Sequence, residues 1–377
     1  MCWLKSKRML LVVVGIVAII VLRSGQAKAD FTFSERVNLG PVVNSSYGDF
    51  SPFIAPDGLS LYFSSTRPGG LGEFDIWVTT KQTSERNPEG YWGVPVNLGA
   101  PINSEYREGA PSITVDGLTL VFSSDRPGGR GGTDIWLTTR PTKESPWDPP
   151  VNLGSLVNSA GDEICGCITP DGCSLYFSTV LTHSPTNPDI IYGGDIYMTT
   201  RATRDSPWEP PVNLGLMPSR NGSANWDPRI SSDGLALFFD SDYADVSLLP
   251  DIWLATRTHN DSGWGTPILL GPEINTRDGE QEPSISADGS TLYWSCGRAG
   301  LNTWDLWQST ISPIVDLNND GIVDAGDVCI MVDHWGTDYP LCDIGPMPWG
   351  DGIVDVEDLI VLAEHLFEEL PGRPIQP

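Results

Sequence analysis

The sequence predicts an all-β fold, a five-bladed β-propeller closed by its N-terminal strand, followed by a small α-helical C-terminal domain with EF-hand-type loops. Three observations predict this. An Asp-Gly pair recurs at Asp57, Asp116, Asp171, Asp233 and Asp288. Each pair is followed by an alternating apolar segment and then by an Asp-Ile-Trp-type segment. After residue 313 the repeat stops, and apolar residues recur at helical spacing instead.

Each repeat is expected to form four short antiparallel strands. Asp-Gly suits a tight hairpin that needs positive φ, so it joins strands one and two. The third strand carries Asp-Ile-Trp, and the fourth carries Val-Asn-Leu-Gly, as at Val151 to Gly154. Such a sheet cannot bury both faces alone, so the copies are expected to pack against one another in a ring.

The two ends of the repeat region predict how the ring closes. The fifth unit stops near Ile314 without its Val-Asn-Leu-Gly segment, while an extra copy lies at Val37 to Gly40. The N-terminal strand should therefore complete the last blade.

Residues 1–29 have the pattern of a signal peptide. Lys5, Lys7 and Arg8 precede an apolar run over residues 9–22, and Ala27-Lys28-Ala29 forms an A-x-A cleavage site. The apolar run is short for a membrane span, although a retained N-terminal anchor is the alternative. We expect a secreted bacterial protein, extracellular, cell-surface or periplasmic, with no membrane span after cleavage. The net charge of −27 disfavours nucleic acid as a partner.

Six cysteines follow the predicted signal peptide. In an oxidising compartment Cys329 could pair with Cys342, and Cys165 or Cys167 could pair with Cys173 across a hairpin. Free buried thiols are the alternative, and a metal site is disfavoured because no Cys-x-x-Cys pair is present.

The repeat resembles a known family. Ser51 to Gly58 reads Ser-Pro-x-Ile-x-x-Asp-Gly, and Leu-Tyr-Phe-Ser-Ser, Arg-Pro-Gly-Gly and Asp-Ile-Trp follow by Trp77. This pattern is similar to the WD40-like PD40 repeat of TolB-type propellers and covers residues 30–313. The resemblance implies a protein-binding or periplasmic scaffold role and no shared catalytic set.

The C-terminal segment contains a calcium-loop pattern. Oxygen-bearing side chains occupy loop positions 1, 3, 5, 9 and 12, with Gly321 at position 6 and a backbone carbonyl at position 7. Position 12 is Asp rather than the usual Glu. The predicted Ca²⁺ ligands are Asp316, Asn318, Asp320, the Ile322 carbonyl, Asp324 and Asp327.

A second, less regular copy supplies Asp351, Asp355 and Asp358. Its positions 1 and 3 would be Met347 and Trp349, which are not ligands, so Asp343 would substitute if the loop carries an insertion.

The two loop–helix halves resemble a type I dockerin over residues 314–370, with a tail at 371–377. The resemblance implies Ca²⁺ as cofactor and a cohesin-like scaffold protein as partner. The usual Ser/Thr-rich recognition pair is replaced by Ala325-Gly326 and Val356-Glu357, which leaves the identity of that partner open.

A polar position recurs eight residues before each Asp-Gly pair and is expected to surround one mouth of the central channel. Loops with Arg67, Arg126 and Arg298 should open on the same face, and the longer loops of blades three and four, which include His183, should form a specificity patch. Two interpretations stand: an acid–Arg network that ties the blades together, or a face that binds a protein or polysaccharide. The recurring positions are Asp49, Glu108, Glu163, Asn225 and Glu280.

The function predicted from the sequence is an exported binding or scaffold protein, and catalytic activity is disfavoured. The alternative is a polysaccharide-degrading glycoside hydrolase, which needs two carboxylates in unequal surroundings. The ring acids are equivalent in four of five blades, and no pair stands out. Trp147, Trp208 and Trp264 could stack on sugars, although packing is the favoured interpretation.

Overall fold

The structure, a computed structural model, describes residues 31–84, 87–180, 194–217, 224–243, 249–297, 303–337, 339–345 and 353–368. The predicted signal peptide, the tail, His183, Arg298 and Asp351 lie outside these residues. In the described part of the chain, no helix is both long and apolar enough to cross a membrane.

Five antiparallel sheets form the blades, as the repeat predicts. The N-terminal strands are β1 (Phe31–Phe33) and β2 (Val37–Asn38), and helix α1 (Gly40–Val43) follows. Blade one contains β3 (Asp49–Ile54), β4 (Ser60–Ser65), β5 (Asp75–Ser84), β6 (Asn87–Trp92) and β7 (Val96–Asn97). Blade two contains β8 (Glu108–Ile113), β9 (Thr119–Ser124), β10 (Asp134–Thr139) and β11 (Val151–Asn152). Blade three contains β12 (Asp162–Ile168), β13 (Ser174–Val180), β14 (Gly194–Thr200) and β15 (Val212–Asn213). Blade four contains β16 (Asn225–Ile230), β17 (Ala236–Ser241), β18 (Asp251–Thr256) and β19 (Ile268–Leu269). Blade five contains β20 (Glu280–Ile285), β21 (Thr291–Gly297) and β22 (Trp304–Pro313).

The N-terminal strand completes blade five, as predicted. Val37 lies opposite Gln308, and Asn38 lies opposite Trp307. Strand β1 pairs with the far end of β22, so the same strand holds two N-terminal segments. The β5–β6 hairpin of blade one is an extension that the repeat did not predict.

The Asp-Gly pairs form the hairpins between strands one and two. In blade one, Asp57 Oδ1 accepts the backbone N–H groups of Leu59 at 2.8 Å and Ser60 at 2.9 Å. Gly58 has a φ of 65°, which an L residue rarely adopts, so glycine closes the turn. Each hairpin therefore lies at one end of its blade, and the start of the innermost strand lies at the opposite end.

Apolar side chains fill the interfaces between blades. Phe122 and Trp136 of blade two pack in one cluster with Phe53 and Tyr62 of blade one. In blade two, the Trp of Asp-Ile-Trp is thus an inter-blade core residue. The three tryptophans considered for sugar stacking also pack, each under an arginine whose Cζ atom lies 4.2–4.5 Å from the ring centroid: Arg140 on Trp147, Arg201 on Trp208 and Arg257 on Trp264.

Of the two alternatives left open for the cysteines, the structure has free thiols and not disulfides. Cys165, Cys167 and Cys173 are free thiols, so the hairpin carries no bridge. Cys329 is a free, exposed thiol on helix α2 (Ala325–Asp333) and is not joined to Cys342. The strand ladder already fixes the hairpin, so a crosslink is not needed to hold its register.

After β22 the chain forms α2, a short 3₁₀ turn (Pro340–Cys342) and helix α3 (Val356–Glu364). Apolar residues of both helices, including Met331 and Leu362, share one buried cluster with Val323 and Val354. The described members of this cluster all follow residue 313.

Candidate functional site in the central channel

The recurring polar residues lie at the start of the innermost strands, and they are buried. We call Asp49, Glu108, Glu163, Asn225 and Glu280 the entry ring; their exposed fractions are 0–3 %. Glu108 shows the common pattern. Its Oε2 atom accepts the backbone N–H of Ser104 at 2.8 Å, and its Oε1 atom accepts the hydroxyls of Ser104 at 2.5 Å and Ser124 at 3.1 Å. These contacts tie the connector before the strand to the strand itself.

The predicted arginines join the same network. Arg126 Nη2 donates to Glu108 Oε1 at 3.0 Å, and its Nε donates to Ser124 Oγ at 3.1 Å. The guanidinium lies over the rings of Phe122 and Trp136, with its Cζ atom 4.9 and 5.5 Å from their centroids. Arg67 makes the equivalent contacts in blade one, at 2.6 Å from Asp49 Oδ1 and 2.9 Å from Ser65 Oγ.

Blade five uses a residue that the sequence reasoning missed. Arg36, from the N-terminal segment, donates to Glu280 Oε1 at 3.3 Å and lies 4.8 Å from the Trp307 centroid. Its position directly before β2, the N-terminal strand that completes blade five, could have indicated this role. The contacts agree with the acid–Arg network, while the ligand-binding role predicted for these residues stays a prediction.

A second ring of residues lies two positions further along each innermost strand. Every member has a positive φ between 48° and 58°, and a β-bulge interrupts the pairing at each one. Non-glycine residues avoid this conformation, which costs on the order of 1–3 kcal/mol at each site. We call these residues the channel ring: Ser51, Ala110, Cys165, Asp227 and Glu282.

Each channel-ring residue is bonded to the preceding blade. Its backbone N–H donates to a side chain of strand two there, at 2.9–3.1 Å. The acceptor is a serine in four blades and Asp240 in blade four. The bulge therefore turns the N–H sideways to lock neighbouring blades, and the locking acceptors are Ser64, Ser123, Ser178, Asp240 and Ser295.

Three carboxyl groups converge where blades four and five meet. Asp240 Oδ1 accepts the backbone N–H of Glu282 at 3.0 Å, and the Asp240 and Asp227 side chains are hydrogen-bonded to each other. Glu282 accepts the Ser51 hydroxyl at 2.7 Å and the Ser295 hydroxyl at 2.6 Å. A bond between two carboxyl groups requires that one of them is protonated.

Burial and the neighbouring negative charge shift the pKa of Asp240 and of Glu282. Burial, and then the charge of Asp227, raise the pKa of Asp240 well above its usual range. The same two causes raise the pKa of Glu282, whose side chain is half-buried in the channel. The channel therefore contains the unequal carboxyl groups that the sequence did not reveal. The sequence feature that could have revealed them is a departure from the repeat. Asp240 stands where the other blades have serine, and Asp227 and Glu282 stand where the other blades have small residues.

The first calcium-loop segment folds as a tight loop around its predicted ligands. Asp316 Oδ2 accepts the N–H of Gly321 at 2.9 Å, and Asp320 Oδ1 accepts the N–H of Ile322 at 3.0 Å. Asn319 and Gly321 have positive φ and make the sharp turn. Asp324 then caps α2, and it accepts the N–H of Gly326 at 2.6 Å.

Position 12 is buried in both loops and makes equivalent contacts. Asp327 Oδ1 accepts the N–H groups of Leu317 and Asn318, and Asp358 Oδ1 accepts those of Ile344 and Gly345. This correspondence aligns Asp343 with Asp316. Loop two is then four residues longer, since Asp343 and Asp358 are 15 positions apart and Asp316 and Asp327 are 11 apart.

The donor types of loop one fit a hard cation such as Ca²⁺. Within the described residues, however, no group of three or more His, Cys, Asp or Glu side chains is arranged to hold a metal ion. The carboxylates of Asp316, Asp320 and Asp327 accept backbone N–H groups instead. Calcium binding therefore stays a prediction.

Comparison with protein-family models and with curated protein sequences gives no match. Among solved structures, TolB from Acinetobacter baumannii is similar at 15 % identity and a TM-score of 0.43, and the match covers 72 % of this chain and 56 % of that one. This chain therefore spans little more than half the length of that TolB. An α-L-arabinofuranosidase from Podospora anserina, solved with cellotriose, is similar at 13 % identity over 76 % of this chain and 98 % of its own, with a TM-score of 0.48. An α-L-arabinofuranosidase from Lactobacillus brevis is similar at 15 % identity over 73 % of this chain and 94 % of its own, with a TM-score of 0.47. TolB is thus among the structural neighbours of this chain, and the β-propeller fold itself rests on the five sheets described above.

Proposed function

We propose that this chain is an exported binding protein whose propeller holds a protein or polysaccharide ligand without chemical turnover. The observation that carries the proposal is the bonding of the channel carboxyl groups to one another and to serines. A glycosidase pair stands about 5–9.5 Å apart on either side of a sugar ring. Asp227 and Asp240 are within hydrogen-bonding distance, and both oxygens of Glu282 accept protein hydroxyls. These contacts engage the carboxyl groups within the protein and hold the blade interface together.

The test separates binding from turnover. The full mature chain would be applied to arrays of polysaccharides and to protein extracts, and each captured glycan would then be assayed for released reducing ends. We expect capture without release. Reducing-sugar release that is lost in Glu282→Gln would contradict the proposal.

A second candidate is glycoside hydrolysis, and one observation favours it. Glu282 is half-buried in the channel and has a raised pKa, as a general acid requires, with Asp227 as the neighbouring carboxylate. This hypothesis predicts that Asp227→Asn and Glu282→Gln each abolish activity, while Ser64→Ala, at the equivalent blade-two interface, leaves it intact. Retained activity in both channel variants would exclude this pair.

We further propose that residues 314–370 bind Ca²⁺ and dock to a cohesin-like scaffold protein. The correspondence of Asp316 with Asp343, and the matching caps of α2 and α3, support two related loops. The test is capture of cohesin domains by the full chain, with and without a chelator. Capture that does not depend on calcium, or no gain in stability with calcium, would contradict the proposal.

A further inference from the structure

Blades one, two and five share one cation-binding arrangement. A buried entry-ring acid pairs with an arginine, and the guanidinium lies over at least one aromatic ring. In blades one and two the rings come from the paired positions of strands two and three, as with Phe122 and Trp136, which lie directly opposite each other. The arginine Nε also donates to the hydroxyl opposite the acid.

Blade four lacks both the acid and the arginine of this arrangement. Its entry-ring residue is the neutral Asn225, and Tyr243 stands where the repeat has arginine. The Tyr243 ring packs edge-on against Trp253 at 6.1 Å between centroids. A neutral pair has thus replaced a charged pair, so no charge is left unpaired.

Blade three keeps the acid without the cation. Glu163 is 1 % exposed and accepts the Ser159 N–H at 2.7 Å and the Ser159 hydroxyl at 2.5 Å. Among the described residues no Lys, Arg or His forms an ion pair with it. In sequence, Leu181 stands at the arginine position, and residues 181–193 contain one histidine, His183, but neither Arg nor Lys.

The hydroxyl that would accept the second N–H of an arginine also has no partner among the described residues. Thr179 lies opposite Glu163, as Ser124 lies opposite Glu108. Its Oγ1 atom is buried, and no described residue is its hydrogen-bond partner. A buried hydroxyl without a partner is destabilising, so a donor is expected there when the site is filled.

The aromatic part of the arrangement is intact. Phe177 and Tyr197 are opposite each other, and their rings are stacked with centroids 6.1 Å apart. With Glu163 and Thr179 they line a pocket of about 460 Å³, which we call the blade-three pocket. An arginine fills the corresponding position in blades one and two.

We propose that the blade-three pocket binds a guanidinium group from outside the chain, an arginine side chain of a protein ligand or a free guanidinium compound. Glu163 accepts one N–H, Thr179 Oγ1 accepts a second, and the plane of the cation lies on Phe177 or Tyr197. The net charge of −27 attracts cationic ligands to this surface. The proposal rests on the binding function proposed above and names a ligand class for it.

The experiment titrates the full mature chain with N-acetyl-arginine methylamide by NMR. The neutral control is the citrulline analogue, which has nearly the same shape. We expect the arginine probe to bind at least about tenfold more tightly than the citrulline probe, because a charge-assisted bond to a buried carboxylate is lost. An arginine-containing peptide that binds more tightly than the free probe would indicate a protein ligand, and equal affinity would indicate a free compound.

Variants localise the site. Glu163→Gln and Thr179→Val should each weaken arginine binding, by about tenfold or more for Glu163→Gln. Glu73→Gln removes an exposed acid that pairs with Arg107 on the surface, and it should leave the affinity unchanged. Thermal melting of each variant checks that it is folded. Equal binding of arginine and citrulline, or undiminished binding in folded Glu163→Gln, would overturn the proposal. If glycan or protein capture persists in that case, only this inference fails and the proposed binding function stands.

Discussion

Replacing Arg126 with alanine should create a copy of the blade-three pocket in blade two. The substitution removes the guanidinium and leaves Glu108, Ser124, Phe122 and Trp136 in place. These are the counterparts of Glu163, Thr179, Phe177 and Tyr197. If the blade-three pocket is a guanidinium site, the vacated blade-two site should accept the same group from solution.

The loss of stability follows from the contacts of Arg126. Its side chain is 11 % exposed, so the pair with Glu108 is poorly screened by water. Removing one member of a buried pair costs about 3–5 kcal/mol, because the other charge is left unpaired. Burial already raises the pKa of Glu108, and loss of the nearby positive charge raises it further. A raised carboxyl pKa withdraws stability as the pH rises through it, so the loss should be larger at pH 8 than at pH 4.

The assay is thermal or urea unfolding of wild type, Arg126→Ala and Arg126→Met, each with and without millimolar methylguanidinium. Arg126→Met keeps much of the packing on the rings but leaves less space. Methylguanidinium should restore stability to Arg126→Ala at pH 8, less so at pH 4, and not to Arg126→Met. A loss below about 1 kcal/mol at pH 8 would refute the reasoning, since a surface pair is worth no more than that. Equal effects of methylguanidinium on all three proteins would refute it too.

Three further predictions concern Glu163, Asp240 and calcium binding by the C-terminal segment. Glu163→Gln should stabilise the protein at pH 8 and have little effect at pH 4, because burial without a cation raises the pKa of Glu163; urea unfolding at both pH values checks this. Asp240→Ser should also stabilise the protein at pH 8, because the buried carboxyl group is removed. The new serine can accept the Glu282 N–H, as Ser64 accepts the N–H of Ala110. Destabilisation in urea unfolding at pH 8 would contradict this. Calcium at a hundredfold excess over its Kd should stabilise the C-terminal domain by about 2.7 kcal/mol, as measured by calorimetry. Asp316→Ala should abolish that gain in stability. Asp333→Ala, which lies outside the loop, should keep it.

The repeat allowed the blades to be predicted from the sequence. The side-chain contacts between and within blades were harder to predict. Asp-Gly, Asp-Ile-Trp and Val-Asn-Leu-Gly each fix a local backbone geometry, so blade count, strand order and the strand donated by Val37 and Asn38 follow from their spacing. Arg36 could not be predicted in the same way, because it lies outside any repeat and reaches Glu280 only after the ring has closed. The choice between disulfides and free thiols stayed open in the sequence, because cysteine number and compartment do not determine whether two thiols face each other.

The channel acids show what a repeat conceals. A position that recurs in every blade is constrained by the blade itself, and the entry ring fits this: its acids accept backbone and hydroxyl groups that every blade must satisfy. Function is more readily placed where one copy departs from the others while the fold is kept. Asp240 departs by adding a charge to a serine position, and blade three departs by omitting an arginine while retaining Glu163. The first departure is compensated within the protein, because Asp227 and the Glu282 N–H bond to Asp240. The second is not compensated by any described residue, and an uncompensated buried acid beside stacked aromatic rings is most simply explained by a cation that the ligand supplies.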